Sequence, residues 1–306
     1  MSRSTRSKRI VSGSIATGAA IALALSPLPT ASGQSAFPGR AGRIAYVGFD
    51  GSDHEIFTIK SGGNGRNRVT SNGRDDFYPA YSPSGKRIAY SGWDGSDNEI
   101  YTIRATGGGR HQVTNNSTDD LTPSYSPSGK RIAYTSYDGH DDEIYTIRSR
   151  GGGRHRVTDN SRTDWDPTYS PSGKRIAFTG GDGTDDEIWT IRVRGGGKKR
   201  VTDNTVGDYA PSYSPSGKRI AYSSFDGPDD DIFTSRARGG GRNRVTDNRV
   251  SDSSPSYSPS GKRIAYTRSS ASDSEIYTSR SRGGGVRQVT HNSTDDFYPD
   301  WGVRVR

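Results

Sequence analysis

Six aspartates, Asp76, Asp120, Asp164, Asp208, Asp252 and Asp296, each stand three residues before a proline at a constant interval. Carboxylates repeated in this way could hold a ligand through charge-assisted hydrogen bonds. Phe77, Tyr78, Trp165, Tyr209, Phe297 and Tyr298 flank them and could stack on a sugar or a peptide. We therefore read the six aspartates, with Trp165 and Tyr209, as a candidate ligand-binding set. Asx-type turns for the aspartates and gap filling between structural units for the aromatics are the competing structural roles.

A second acidic pattern is Asp-Gly-x-Asp-x-Glu/Asp, which places three or four carboxylates within six residues. Asp94, Asp97, Glu99, Asp138, Asp141 and Glu143 are the candidate Ca²⁺ ligands, because a hard cation prefers several oxygens. The spacing is not that of an EF-hand, and Asp-Gly is also an ordinary hairpin turn. No other cofactor is expected. Catalytic motifs are missing: His54, His111, His140, His155 and His291 fall at unrelated places, and there is no His-Glu-x-x-His, no Gly-x-Ser-x-Gly and no cysteine.

The elements that must position these residues follow from a repeat. Ile44, Ile88, Ile132, Ile176, Ile220 and Ile264 are separated by 44 residues, as are Pro79, Pro123, Pro167, Pro211, Pro255 and Pro299. One period carries four short β-like runs; taking the nearest instance of each, these are 167–170, 175–179, 143–148 and 154–158. Ser-Pro-Ser-Gly, Asp-Gly and Gly-Gly-Gly supply the turns. Four antiparallel strands per period, six times over, predict an all-β, six-bladed β-propeller over 42–306. The chain starts this pattern at a second strand and ends on a first, so the C-terminal strand is expected to complete the first blade.

The motif Pro-x-Tyr-Ser-Pro-Ser-Gly-Lys-Arg-Ile-Ala-Tyr, followed by Asp-Glu-Ile-Tyr and Arg-Val-Thr, resembles the TolB-type, WD40-like β-propeller repeat, and does so over 42–301. Two departures stand out. Tyr-Ser-Pro-Ser-Gly replaces the family's usual Trp-Ser-Pro-Asp-Gly, and there is no room for the α/β domain that precedes the propeller in TolB itself. The resemblance implies the fold more strongly than any Tol function.

Arg3, Arg6, Lys8 and Arg9 precede an apolar run over 10–28 and small residues at 31–33, the pattern of a signal peptide over 1–33, with a short linker over 34–41. No later segment is apolar enough to span a bilayer, so no transmembrane segment is expected after cleavage. Hydrophobic residues are only 28% and mean hydropathy is −0.89, so the 17 Tyr, 8 Phe and 4 Trp must carry much of the core. Of the 43 Lys and Arg, the four in the leader would be lost, leaving 39 against 34 acids.

Antiparallel connectors alternate ends, so the acids of the second-to-third and blade-to-blade loops share one face. The Lys-Arg pairs and the cations around the Gly-rich turns, including Arg148, Arg150, Arg154 and Arg156, share the other. The expected protein is a secreted, periplasmic or cell-envelope binding scaffold, non-enzymatic, taking a protein, peptide or glycan at its acidic face, where the six repeated aspartates are expected to ring the channel mouth if their strands are innermost. An anionic envelope polymer could meet the basic face, and no nucleic acid is expected. The alternative is a propeller lyase or glycan hydrolase using Asp164 and Asp208 as paired acids. A third possibility is head-to-tail stacking of opposite faces.

Overall fold

A computed structural model of the chain describes residues 37–305. The signal-peptide expectation lies outside them. Among the described residues all regular structure is strand, numbered β1 to β24 along the chain.

Blade 2 shows the plan: β4 (Asp76–Tyr81), β5 (Arg87–Trp93), β6 (Asn98–Arg104) and β7 (His111–Gln112), in that order across a four-stranded antiparallel sheet. Blades 3 to 6 repeat it, with innermost strands β8 (Asp120–Tyr125), β12 (Asp164–Tyr169), β16 (Asp208–Tyr213) and β20 (Ser251–Tyr257). Blade 1 joins β24 (Asp296–Val303) to β1 (Ala41–Phe49), β2 (His54–Lys60) and β3 (Asn67–Arg68), so the ring closes on the C-terminal strand as the repeat predicts. Innermost strands begin earlier than the sequence pattern suggests, and the outermost are only two residues long.

Packing explains the repeated Ile-Ala-Tyr. Successive side chains of a strand point to opposite faces. In β5, Ile88 and Tyr90 turn toward blade 1, where they meet Ala45, Val47 and Ile56. Ala89 turns the other way, into a cluster with Tyr125, Ile132 and Tyr134 of blade 3. Each blade thus offers a bulky face to its neighbour's small alanine, and Tyr46, Tyr90, Tyr134, Tyr222 and Tyr266 have no exposed surface. Ile44, Tyr46 and Trp301 close the ring against Ala265, Ile276 and Val289. Phe37, in the expected linker, is also buried in this packing, and Arg304 N donates to Arg40 O at 2.8 Å.

Turn chemistry fixes the connectors. In Ser-Pro-Ser-Gly, Gly85 takes φ +69° while its N–H donates to Ser82 O at 2.8 Å. Gly107, Gly108 and Gly109 take φ +91°, +76° and +64° in succession, a run only glycine tolerates without strain.

Candidate functional site

The register of each blade assigns its connectors to ends. Arg43 pairs with Lys60 and Phe49 with His54, so the Asp-Gly loops and the blade-to-blade loops share one end. His54 Nδ1 lies 3.0 Å from Asp75 of the following loop, which joins the two loop sets there. Innermost strands of adjacent blades touch one another around the ring, so they line its axis. The candidate site is the mouth of this axis at the acidic end.

The six repeated aspartates do not form its exposed lining. Asp76, Asp120, Asp164, Asp208, Asp252 and Asp296 are each 0% exposed, which corrects the expectation of a carboxylate ring at the channel mouth. The reason is strand alternation: each of these aspartates turns into its blade and the residue after it turns out. Asp76 faces Gly92 across the sheet, where a Cβ would stand 2.6 Å from Asp76 Oδ1, and Gly180 leaves the same room for Asp164.

Each buried aspartate is held by an asparagine four residues upstream. Asn72, Asn116, Asn160, Asn204, Asn248 and Asn292 donate Nδ2–H to it at 2.6, 2.8, 2.7, 2.8, 2.7 and 2.6 Å. Asn72 N–H also donates to Glu55 Oε1 at 2.9 Å, which brings a third-strand glutamate beside the aspartate. The Asx turn expected of the aspartates belongs to five of these asparagines, Asn116, Asn160, Asn204, Asn248 and Asn292: Asn116 Oδ1 accepts from Thr118 N at 3.0 Å. Their 44-residue recurrence was the signal available in the sequence.

Burial pushes Asp76 up to about 8, with the Glu55 charge adding to it, and pushes Asp120, Asp208 and Asp296 up to about 7 and Asp164 to about 6. Asp252 is raised in the same direction by burial. Two receive direct ion pairs: Lys198 Nζ is 3.5 Å from Asp164, and Arg268 grips Asp252 through Nε and Nη2 at 2.7 and 2.8 Å.

Outward beside these acids sits a collar of half-buried side chains, Phe77, Leu121, Trp165, Tyr209, Ser253 and Phe297. Trp165 and Tyr209 meet edge to face with centroids 5.9 Å apart, so the structure brings this expected pair together. Across the mouth, His54 lies 5.3 Å from Phe77 and 5.5 Å from Phe297.

One residue deeper, Tyr78, Thr122, Asp166, Ala210, Ser254 and Tyr298 all adopt left-handed backbone, with φ between +52° and +58°. Non-glycine residues there cost on the order of 1–3 kcal/mol each, so six in register are a built feature. A bulge in the innermost strand produces it, and hydroxyls of the preceding blade hold it. Ser254 N donates to Ser223 Oγ at 3.0 Å and Tyr298 N to Thr267 Oγ1 at 3.1 Å. Asp166 breaks the symmetry of this inner ring: it is 0% exposed, neither carboxylate oxygen has a hydrogen-bond partner, and burial pushes its pKa well upward.

The Ca²⁺ candidates divide on one residue. Four loops gather carboxylate oxygens within 4.8 Å: Asp50, Asp53 and Glu55, Asp94, Asp97 and Glu99, Asp138, Asp141 and Glu143, and Asp182, Asp185 and Glu187. In three of them a fourth-strand arginine already supplies the countercharge. Arg68 reaches Asp50 and Glu55 at 2.6 and 2.9 Å, Arg156 reaches Asp138 and Glu143 at 2.6 and 3.0 Å, and Arg200 reaches Asp182 and Glu187 at 2.9 and 2.6 Å. In blade 2 the same position is Gln112, and Asp97 is pushed up to about 6 by burial and by Glu99 and Asp94.

Those arginines also correct the expected sorting of charge. Arg154 and Arg156 were assigned to the basic end, yet Arg154 lies over Tyr145 at 3.9 Å and donates to Ser136 Oγ at 3.1 Å, while Arg156 pairs with acids. A two-residue strand lets these long side chains reach the opposite rim along the blade's outer edge.

The geometry defines a closed six-bladed propeller with an aromatic-lined mouth at one end. The sequence profile of the TolB beta propeller domain matches residues 29–215 and 209–304, and the chain belongs to that family. TolB from Acinetobacter baumannii superposes with a TM-score of 0.77 at 24% identity, over 86% of this chain and 67% of that one. A Kuenenia stuttgartiensis hydrazine synthase chain gives 0.72 at 14% identity, over 88% and 48%. A chain of a nidogen/laminin complex gives 0.69 at 11%, over 85% and 98%. These likenesses show the fold alone. No curated protein sequence matches the chain.

Proposed function

We propose that this propeller is a non-enzymatic binding scaffold of the cell envelope, and that it takes a peptide segment of a partner protein at the mouth of its channel on the acidic end. The half-buried collar carries this reading: five of its six members are large and apolar or aromatic, and the inner ring beneath them is strained into place. Such clusters at the centre of a patch supply most of the affinity in peptide recognition. Acidic loops around the collar would steer a basic partner. Export is supported by the basic-then-apolar leader over 1–33.

The enzymatic alternative meets an obstacle in Asp164 and Asp208, which are 0% exposed and held by Asn160 and Asn204 at 2.7 and 2.8 Å. Paired acids must reach substrate to protonate it.

The test compares proteins retained from envelope extract by the wild-type propeller and by a Trp165→Ala/Tyr209→Ala variant, with turnover of labelled polysaccharides followed in parallel. The expected result is a defined partner lost from the variant, with no turnover by either protein. Retention unaffected by the variant, or polysaccharide cleavage by the wild type, contradicts the proposal.

A further inference from the structure

At the end opposite the candidate site, each second strand begins at or near an arginine: Arg43, Arg87, Arg131, Arg175, Arg219 and Arg263. Neutral acceptors pin each guanidinium. Arg219 Nη2 donates to Thr234 O, Thr234 Oγ1 and Gly241 O, each at 2.8 Å, and Arg131 Nη2 donates to Thr146 O, Thr146 Oγ1 and Gly153 O at 3.0, 2.9 and 2.8 Å. None of the six makes an ion pair among the described residues, where every ion pair belongs to the acidic end.

The first-turn lysines Lys86, Lys130, Lys174, Lys218 and Lys262 are exposed and likewise without a carboxylate. Like charges crowd there: burial and the neighbouring Arg280 and Arg287 lower the pKa of Arg263. A guanidinium fixed in place but lacking a countercharge is preorganised for an external anion, because its orientation is already set.

The shape repeats with the charge. Between blades 5 and 6 a groove of about 570 Å³ is lined by Ser214, Ser216, Lys218, Arg219, Tyr257 and Arg282. Between blades 3 and 4 an equivalent groove of about 1010 Å³ holds Ser126, Ser128, Arg131, His155, Tyr169 and Arg194. Hydroxyl and guanidinium donors side by side suit tetrahedral oxyanions, and two such grooves on one end, with a pinned arginine in every blade, suit a ligand that itself repeats.

We propose that the basic end binds a linear, phosphate-bearing polymer, laid around the rim through these inter-blade grooves with phosphates against the pinned arginines. This surface is separate from the channel mouth, so it stands independently of the function proposed there.

The probe is inorganic polyphosphate, followed by anisotropy of a labelled chain at 50 and 200 mM salt, with dextran sulfate and phosphatidylglycerol vesicles as further arms. Four contacts at a slope of about 0.7 per contact predict a loss of roughly fifty-fold across that salt range. Replacing Lys130, Lys174, Lys218, Arg194 and Arg282 by Gln should weaken polyphosphate at least tenfold. Arg219→Lys keeps the charge but loses the fork and should still weaken it several-fold, with the thermal midpoint read for each variant. Neutralising Asp159, Asp203 and Asp247 at the other end should not weaken it. Absence of binding at 50 mM salt overturns the proposal, as does indifference to the basic-end variants, equal strength in a folded Arg219→Lys protein, or tighter capture of vesicles or dextran sulfate than of polyphosphate.

Discussion

The two ends of this ring carry loops of opposite charge, but they differ more in what happens to that charge than in its sign. At the acidic end, carboxylates are buried, capped by asparagines and met by cations reaching over from the fourth strands. At the basic end, arginines are pinned only by carbonyls and hydroxyls. The acidic end meets its buried carboxylates from within and leaves loop acids such as Asp159, Asp203 and Asp247 in solvent, whereas the basic end leaves even its fixed arginines without a carboxylate. Net charge by face, read from composition, hides this difference.

Blade 6 offers the largest test. In blades 1 to 5 the outer cation is Arg66, Arg110, Arg154, Lys198 or Arg242, but blade 6 has Val286 there and places Arg268 on the second strand instead. Arg268→Gly, which removes the guanidinium fork and leaves Asp252 held by Asn248, should cost about 1–3 kcal/mol in denaturant unfolding at pH 7. Adding Val286→Arg should recover most of it. Failure of that rescue would break the equivalence of the blades.

The buried aspartates give the next effect. With folded pKa values raised above their unfolded ones, the buried aspartates bind more protons folded than unfolded between about pH 4 and 8. Their contribution is therefore complete in mild acid and is lost as pH rises, so the thermal midpoint should fall across that window. Asp166→Asn should be neutral at pH 4 and stabilising by about 1 kcal/mol at pH 8, because an unpaired carboxylate is removed.

The smallest effect sharpens the comparison between loops. Gln112→Arg supplies blade 2 with the countercharge its neighbours possess and should add about 0.5–1 kcal/mol at pH 7. The gain should shrink in high salt. No gain would mean that the Asp94, Asp97 and Glu99 loop is already balanced by something other than the missing arginine.

Fold and closure were legible because 44-residue periodicity and turn chemistry act locally and repeat six times. Trp165 and Tyr209 were legible as neighbours for the same reason. Asp76 and its counterparts were misplaced by one face, since period-two alternation moves a residue from mouth to interior with a shift of one position. Asn72 and its counterparts were overlooked because asparagine in a loop reads as turn chemistry until a buried carboxylate is seen beside it. The reach of Arg156 could not be read at all, because strand spacing says nothing about where a long side chain ends.

A ¹³C titration of the aspartate carboxyl carbons tests the central distinction most directly. The account predicts that Asp76, Asp120, Asp208 and Asp296 titrate between pH 7 and 8, while Asp94 and Asp138, whose oxygens accept loop N–H bonds, titrate below the ordinary aspartate value. These four buried aspartates titrating together near 4 would contradict it, returning their carboxylates to solvent and to the candidate ligand.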